Sequence, residues 1–120
     1  MKIIGVVAII TFFLTGCYYD KAQLIYPINT CDTTNAKYST TVVPILSTNC
    51  YVCHSGTASS GGGIALDNYT TLKTYVTNGQ LLNSINQNGV VPAMPLNATI
   101  LSTCDISQIT AWINSGALNN

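Results

Sequence analysis

Two cysteines three residues apart, with the chain's single histidine directly after the second, make up the segment Cys50-Tyr51-Val52-Cys53-His54. No other stretch limits the fold as much. On a helical turn, residues three and four apart share a face. Both sulfurs then reach one edge of whatever lies against that face. His54, four residues after Cys50, presents a ring nitrogen toward the same object. A chain with these three groups on one turn needs an apolar shell to close over the opposite side.

The pattern C-x-x-C-H is the attachment signal for a c-type haem. Cys50 and Cys53 would form thioether bonds to the vinyl carbons, and His54 would be the proximal iron ligand. The cysteine pair alone has a second reading, a thiol–disulfide oxidoreductase. That chemistry is expected within a βαβ pattern, which the flanking sequence lacks.

The N-terminus supplies an address. Met1-Lys2 is followed by a twelve-residue apolar stretch, Ile3 to Leu14, broken only by Gly5 and Thr11. This length suits a signal peptide and is short for a membrane span. It ends in Leu14-Thr15-Gly16-Cys17, which resembles a bacterial lipobox. The resemblance implies cleavage after residue 16 and lipidation of Cys17; an uncleaved anchor or an ordinary secretory signal is the alternative. Several acyl chains hold a protein at a membrane where a single chain does not. Tyr18, rather than Asp, follows Cys17. By resemblance to enterobacterial sorting rules this leans toward the outer membrane, with the protein periplasmic or surface-facing.

Residues 17–37 carry no helical period and contain Pro27 and the polar run Asn29 to Asn35. They read as a lipidated tether. Twenty residues reach at most about 65–70 Å. Residues 38–118 then form one small domain, whose modest core gains from a large apolar cofactor.

Within that domain Val42, Leu46 and Cys50 are spaced i, i+4, i+8. The spacing predicts a first helix over 38–49, capped by Ser39, Thr40 or Thr41, with Pro44 near its first turn. Residues 55–63 are rich in Gly, Ser and Thr and read as a turn leading away from the histidine. Ile64 and Leu66 follow as core or cofactor contacts. Asp67 or Asn68 caps a helix over 69–76, Asn78-Gly79 ends it, and a short helix follows over 80–86. Ser102-Thr103-Cys104-Asp105 resembles a capping box, and Ile106, Ile109 and Ile113 mark an amphipathic helix that Gly116 stops. Trp112 is expected in the core against the first helix, its N–H also within possible reach of a haem propionate.

Met94 lies in Val90-Val91-Pro92-Ala93-Met94-Pro95. Once the leader is gone it is the only methionine left. Prolines on both sides disfavour helix and stiffen the loop. Such a methionine suits a thioether ligand to iron on the side opposite His54. The alternatives are a methionine used as core filler and a vacant sixth position.

Charged residues make up 7% of the sequence. After the leader, three lysines against four aspartates leave a side-chain charge of −1, with no arginine and no glutamate. Without a basic cluster there is no footprint for nucleic acid. Five cysteines in so short a chain point to an oxidising compartment. Lipid takes Cys17 and haem takes Cys50 and Cys53. Cys31 and Cys104 remain, and the expectation is a disulfide, with two separate buried thiols as the alternative.

Taken together, the order of these features resembles a class I cytochrome c domain. More narrowly, it resembles the small lipoprotein-type monohaem cytochromes c of Bacteroidetes-like bacteria. The resemblance covers about Tyr38 to Ala117. It implies an all-α fold of three to five short helices around one covalent haem c, the first and last helices packed across each other. It also implies thioethers at Cys50 and Cys53, and His54 and Met94 as axial ligands. The implied role is one-electron transfer between redox proteins in the cell envelope, not enzyme catalysis. A haem-based ligand sensor with an open or labile sixth position is the alternative. Unlike many soluble electron carriers, this chain has no ring of lysines for an acidic partner.

Overall fold

Ser102 starts the longest helix among residues 31–120, the part of the chain that the computed structural model describes. Its hydroxyl accepts the Asp105 backbone N–H at 3.0 Å and donates to the Asp105 carboxylate at 2.7 Å. The reciprocal arrangement fixes the first turn, where backbone N–H groups lack helical partners. The leader over residues 1–16, the lipidated Cys17 and the tether as far as residue 30 lie outside the described residues.

The elements run in the order of a π-helical turn, Tyr38–Val42, continuing into α1, Val43–Asn49, then a 3₁₀ turn, Ser59–Gly61, then α2, Tyr69–Thr77, α3, Gln80–Ile85, and α4, Thr103–Asn114. No strand occurs among the described residues, and the fold is all-α. No helix among them is long and apolar enough to cross a membrane.

The first helix differs from the continuous α-helix expected over 38–49. Its opening turn is π-helical, with the Val42 N–H bonded to the Lys37 carbonyl at 3.1 Å. Pro44 explains this. Its ring would meet the carbonyl four residues back in a regular α-helix, and a wider turn just before it relieves the crowding. None of the three candidate caps holds the N-cap position, which falls to Lys37 without a side-chain cap; Thr41, inside the turn, has a hydroxyl that accepts the Lys37 N–H at 3.2 Å. The next two N–H groups, of Tyr38 and Ser39, are taken at 2.9 Å each by the side chain and backbone oxygens of Asn120.

The other helix ends follow local chemistry. Asn68 caps α2 by accepting the Thr71 N–H at 3.1 Å. Gly79, at φ +77°, turns the chain from α2 into α3. α4 closes in a Schellman arrangement, the Gly116 N–H bonding the Ile113 carbonyl and the Ala117 N–H the Trp112 carbonyl. Gly116 has φ +103°, a conformation that disfavours any side chain. Two groups from α2 reach this end as well. The Tyr69 hydroxyl donates to the Ala117 carbonyl at 2.7 Å, and Lys73 Nζ donates to the Gly116 and Ala117 carbonyls. A cation there complements the negative end of the helix dipole.

The apolar faces meet in one core in which Val42, Leu46, Leu72, Ile85, Ile109 and Trp112 are fully buried. Trp112 stacks on Tyr38 with ring centroids 5.8 Å apart, and Tyr38 meets Tyr69 edge-on at 5.1 Å. The π-turn thus packs on α4 through an aromatic contact. The Trp112 indole N–H donates to the Leu118 carbonyl at 2.8 Å. That bond occupies the donor considered above for a propionate.

Residues 31–37, read as the end of the tether, are tied to α4. Cys31 and Cys104 are paired as a disulfide with Cα atoms 5.3 Å apart, and Gln108 Nε2 donates to the Asp32 carbonyl at 3.0 Å.

Candidate functional site

α1 delivers the cysteine pair. α1 ends at Asn49, with Cys50 at φ −125° as its C-cap, and the chain continues in hydrogen-bonded turns: the Cys50 N–H bonds the Leu46 carbonyl at 2.7 Å and the His54 N–H bonds the Cys50 carbonyl at 2.9 Å. Cys50, Cys53 and His54 are therefore held on the hydrogen-bonded turns that follow α1. Cys50 and Cys53 are both free thiols.

The loop after the motif does more than lead the chain away. The Ala58 carbonyl accepts the Gly61 and Gly63 N–H groups, each at 2.9 Å, and folds residues 58–63 into a tight turn. The chain then comes back to the histidine twice. The Leu66 N–H donates to the His54 carbonyl at 2.8 Å, and His54 Nδ1 lies 3.0 Å from the Ile64 carbonyl oxygen. A carbonyl only accepts, so Nδ1 carries the proton. Nε2, at the other end of the ring, is the nitrogen that the neutral tautomer offers to a metal.

Gly61 packs against that same ring. A Cβ built there would lie 2.5 Å from both the Cys53 carbonyl oxygen and His54 Nδ1, and 2.8 Å from Cε1. Glycine at 61 is thus a matter of space. The second wall of the site is fixed from α3. The Met94 N–H donates to the Ser84 carbonyl at 3.1 Å, and Gln87 Nε2 donates to the Met94 carbonyl at 3.3 Å.

These segments enclose a cavity of about 590 Å³. Cys50, Cys53, His54 and Met94 all line it, together with the apolar side chains of Ile64, Leu66, Leu81, Ile85 and Leu96. Polar groups on the lining come from Asn49, Ser60, Tyr75, Gln80 and Ser84, with no charged side chain among them. The size falls within the range of small-molecule and cofactor sites. Among the described residues no three of His, Cys, Asp and Glu gather to hold a metal ion. A haem would need fewer protein ligands than a bare metal ion, because its porphyrin carries four nitrogens, and His54 and Met94 are the side chains on this lining able to ligate an iron.

The two thiols differ in setting. Burial pushes the Cys50 thiol up to about 11, whereas Cys53 is exposed. A thiol–disulfide oxidoreductase requires a low-pKa attacking cysteine, the reverse of the shift at Cys50. In the haem-free chain Cys53 is expected to react with iodoacetamide well before Cys50, as peptide mapping would show. An unfolded thiol ionises near 8.5. As pH rises from there toward about 11, the unfolded state releases its proton first, so this group lowers stability over that window. Equal labelling of both thiols at pH 8 would contradict the burial.

The four candidate ligands read from the sequence, Cys50, Cys53, His54 and Met94, all line the cavity. The supporting roles of the Ile64 carbonyl, Gly61, Ser84 and Gln87 were not foreseen. The run Gly61-Gly62-Gly63 was the one available hint. Against protein-family models, curated proteins and solved structures alike, the chain gives no match.

Proposed function

We propose that this chain is a membrane-anchored monohaem c-type cytochrome that transfers single electrons, with a class I cytochrome c fold over its helical unit. The observation that carries the reading is the cavity itself. It gathers the two thiols of a C-x-x-C-H motif, a histidine with Nε2 left free, and the loop methionine. Cys50 and Cys53 would hold the haem by thioethers, and His54 and Met94 would be the side chains that ligate its iron. The group supplies a reversible one-electron iron couple, whose potential His/Met ligation raises.

The chain's own residues keep that couple in place. Ile64 holds the imidazole orientation and makes the free nitrogen a better donor. Ser84 and Gln87 anchor the Met94 backbone on both sides. Leu66, Leu81 and Ile85 supply an apolar lining that keeps water from the cavity. The polar groups of Tyr75, Gln80 and Ser84 are available to a propionate. The lipid anchor at Cys17 would hold the unit at the envelope membrane.

The test is the mass and spectrum of the purified mature protein. The expected mass is that of the chain plus one haem, and Cys50→Ala/Cys53→Ala is expected to lack it. The ferric protein should show a thioether–iron charge-transfer band. Met94→Ala should lose that band and gain rapid binding of carbon monoxide. A wild-type chain without the haem mass rejects the proposal. A loaded wild-type chain that already binds carbon monoxide rapidly supports the ligand-sensor alternative.

A further inference from the structure

An asparagine followed by glycine is a chemically reactive step in a polypeptide. The backbone nitrogen of the second residue can attack the side-chain amide carbon of the first, because a five-membered ring results. Glycine leaves that nitrogen unshielded, having no Cβ. The sequence contains two such steps, Asn78-Gly79 and Asn88-Gly89. Both asparagines are exposed.

The fold treats the two steps differently. Asn78 is the C-cap of α2, and the Gly79 N–H donates to the Val76 carbonyl at 3.1 Å. That nitrogen must break a helix-closing bond before it can lose its proton. Asn88 lies beyond Asn86, the C-cap of α3, in a loop. The Gly89 N–H has no hydrogen-bond partner among the described residues. Asn88 Oδ1 accepts the Val90 N–H at 3.1 Å, closing a ring of atoms that includes the Gly89 nitrogen. Charge develops on Oδ1 during attack, and a backbone N–H already aimed at it stabilises that charge. Asn78 Oδ1 accepts the Gln80 N–H at 3.0 Å in the same way. The unengaged Gly89 nitrogen is therefore what separates the two steps.

We propose that Asn88-Gly89 is a self-modification site, where the folded chain converts an amide into a carboxylate on the loop that carries Met94. The Gly89 nitrogen gives its proton to hydroxide and bonds to Asn88 Cγ. The Cγ–Nδ2 bond breaks, and Nδ2 leaves as ammonia with a proton from water. Water then opens the cyclic imide at either carbonyl. One product is aspartate, and the other is its isomer, whose backbone runs through Cβ and Cγ. The reaction takes no cofactor, so the inference stands apart from the haem reading. Its product acts on the methionine loop in two ways. The bonds from Met94 to Ser84 and from Gln87 to Met94 close the base of a loop that contains residue 88, and the isomer adds a backbone atom inside it. The carboxylate also cannot donate to Asn83 Oδ1, as Asn88 Nδ2 does at 2.7 Å. It brings charge to a stretch that has no charged residue between Lys73 and Asp105.

The full chain is incubated in mildly alkaline buffer, folded and in urea, and peptide mapping by mass spectrometry follows each asparagine. In the folded protein Asn88 is expected to convert about tenfold faster than Asn78. In urea the two should convert at similar rates. Gly89→Ala, compared in urea so that folding plays no part, should slow conversion at 88 about tenfold. The Met94 methyl NMR signal of the folded protein should shift with the time course of Asn88 loss. Folded Asn88 converting no faster than Asn78 overturns the proposal, as does the same preference persisting in urea, which would trace it to sequence rather than fold. Conversion unchanged by Gly89→Ala rejects the cyclic route, and a Met94 signal unmoved after full conversion rejects the effect on the loop.

Discussion

Gly61→Ala is expected to destabilise the protein and to release the His54 ring from its fixed orientation. The added carbon would sit 2.5 Å from a backbone oxygen and from an imidazole nitrogen. Neither obstacle can swing aside. The Cys53 carbonyl belongs to the motif's own turn, and the ring is held by Ile64 at 3.0 Å. Gly61 is itself tied, through its N–H to Ala58 and its carbonyl to Ile64. The loop must therefore back away, and the Nδ1 bond goes with it. Overpacking of this kind costs about 1–3 kcal/mol, and the lost hydrogen bond adds roughly 1 kcal/mol. Thermal unfolding measures the sum, with each kcal/mol lowering Tm by roughly 4–8 °C in a domain this small. Gly62→Ala is the control. Its φ of +66° strains any side chain, yet nothing lies within 4 Å of the new carbon. It should cost only about 1–2 kcal/mol and leave the imidazole NMR signals in place. Equal losses and unmoved imidazole signals in both variants would show that close packing at 61 is not what orients the ring.

The second large effect is expected from the disulfide. Replacing Cys31 and Cys104 together by serine removes a link between positions 73 residues apart. In the chain-entropy model a loop of that length is worth about 4 kcal/mol. Thioethers at Cys50 and Cys53 would already restrain the unfolded chain, so the haem-loaded protein should lose less than that. Urea denaturation reads the change as a lower midpoint. The slope should rise too, because an uncrosslinked chain exposes more surface on unfolding. A midpoint unchanged by either the double substitution or reduction would mean that residues 31–37 are held by Gln108 and the core alone.

Both effects bear on what can be read without coordinates. Ser102, Asn68 and Gly116 act within a turn of their own position, so residue type and spacing were enough to place them. The π-turn was not legible in the same way. Its cause, Pro44, was visible, but a proline near a helix start is equally compatible with a regular N-terminus. Asn120 as the partner of Tyr38 and Ser39 depends on the two ends of the helical unit meeting, which no local pattern encodes. The site divides along the same line. Cys50, Cys53 and His54 carry a fixed spacing, and Met94 stands out between two prolines. The contacts that orient them span seven to twelve residues across loops. They use backbone carbonyls, which every residue has, and so they leave no mark on composition. Lys73, one of few cations in the chain, is committed to the C-terminal end of α4, a role that nothing in its neighbouring sequence marks.

The burial of Trp112 has a practical side. It is the chain's only tryptophan, and it is fully buried in a unit of about 90 residues, for which a radius of gyration near 12 Å is typical. A porphyrin absorbs at the wavelengths where indole emits, and over such a distance energy transfer to it is efficient. The indole would therefore be dark in loaded, folded protein and bright when the cofactor is missing or the chain opens. With the proposed haem bound, one native side chain would make loading and unfolding optically readable, with no label attached.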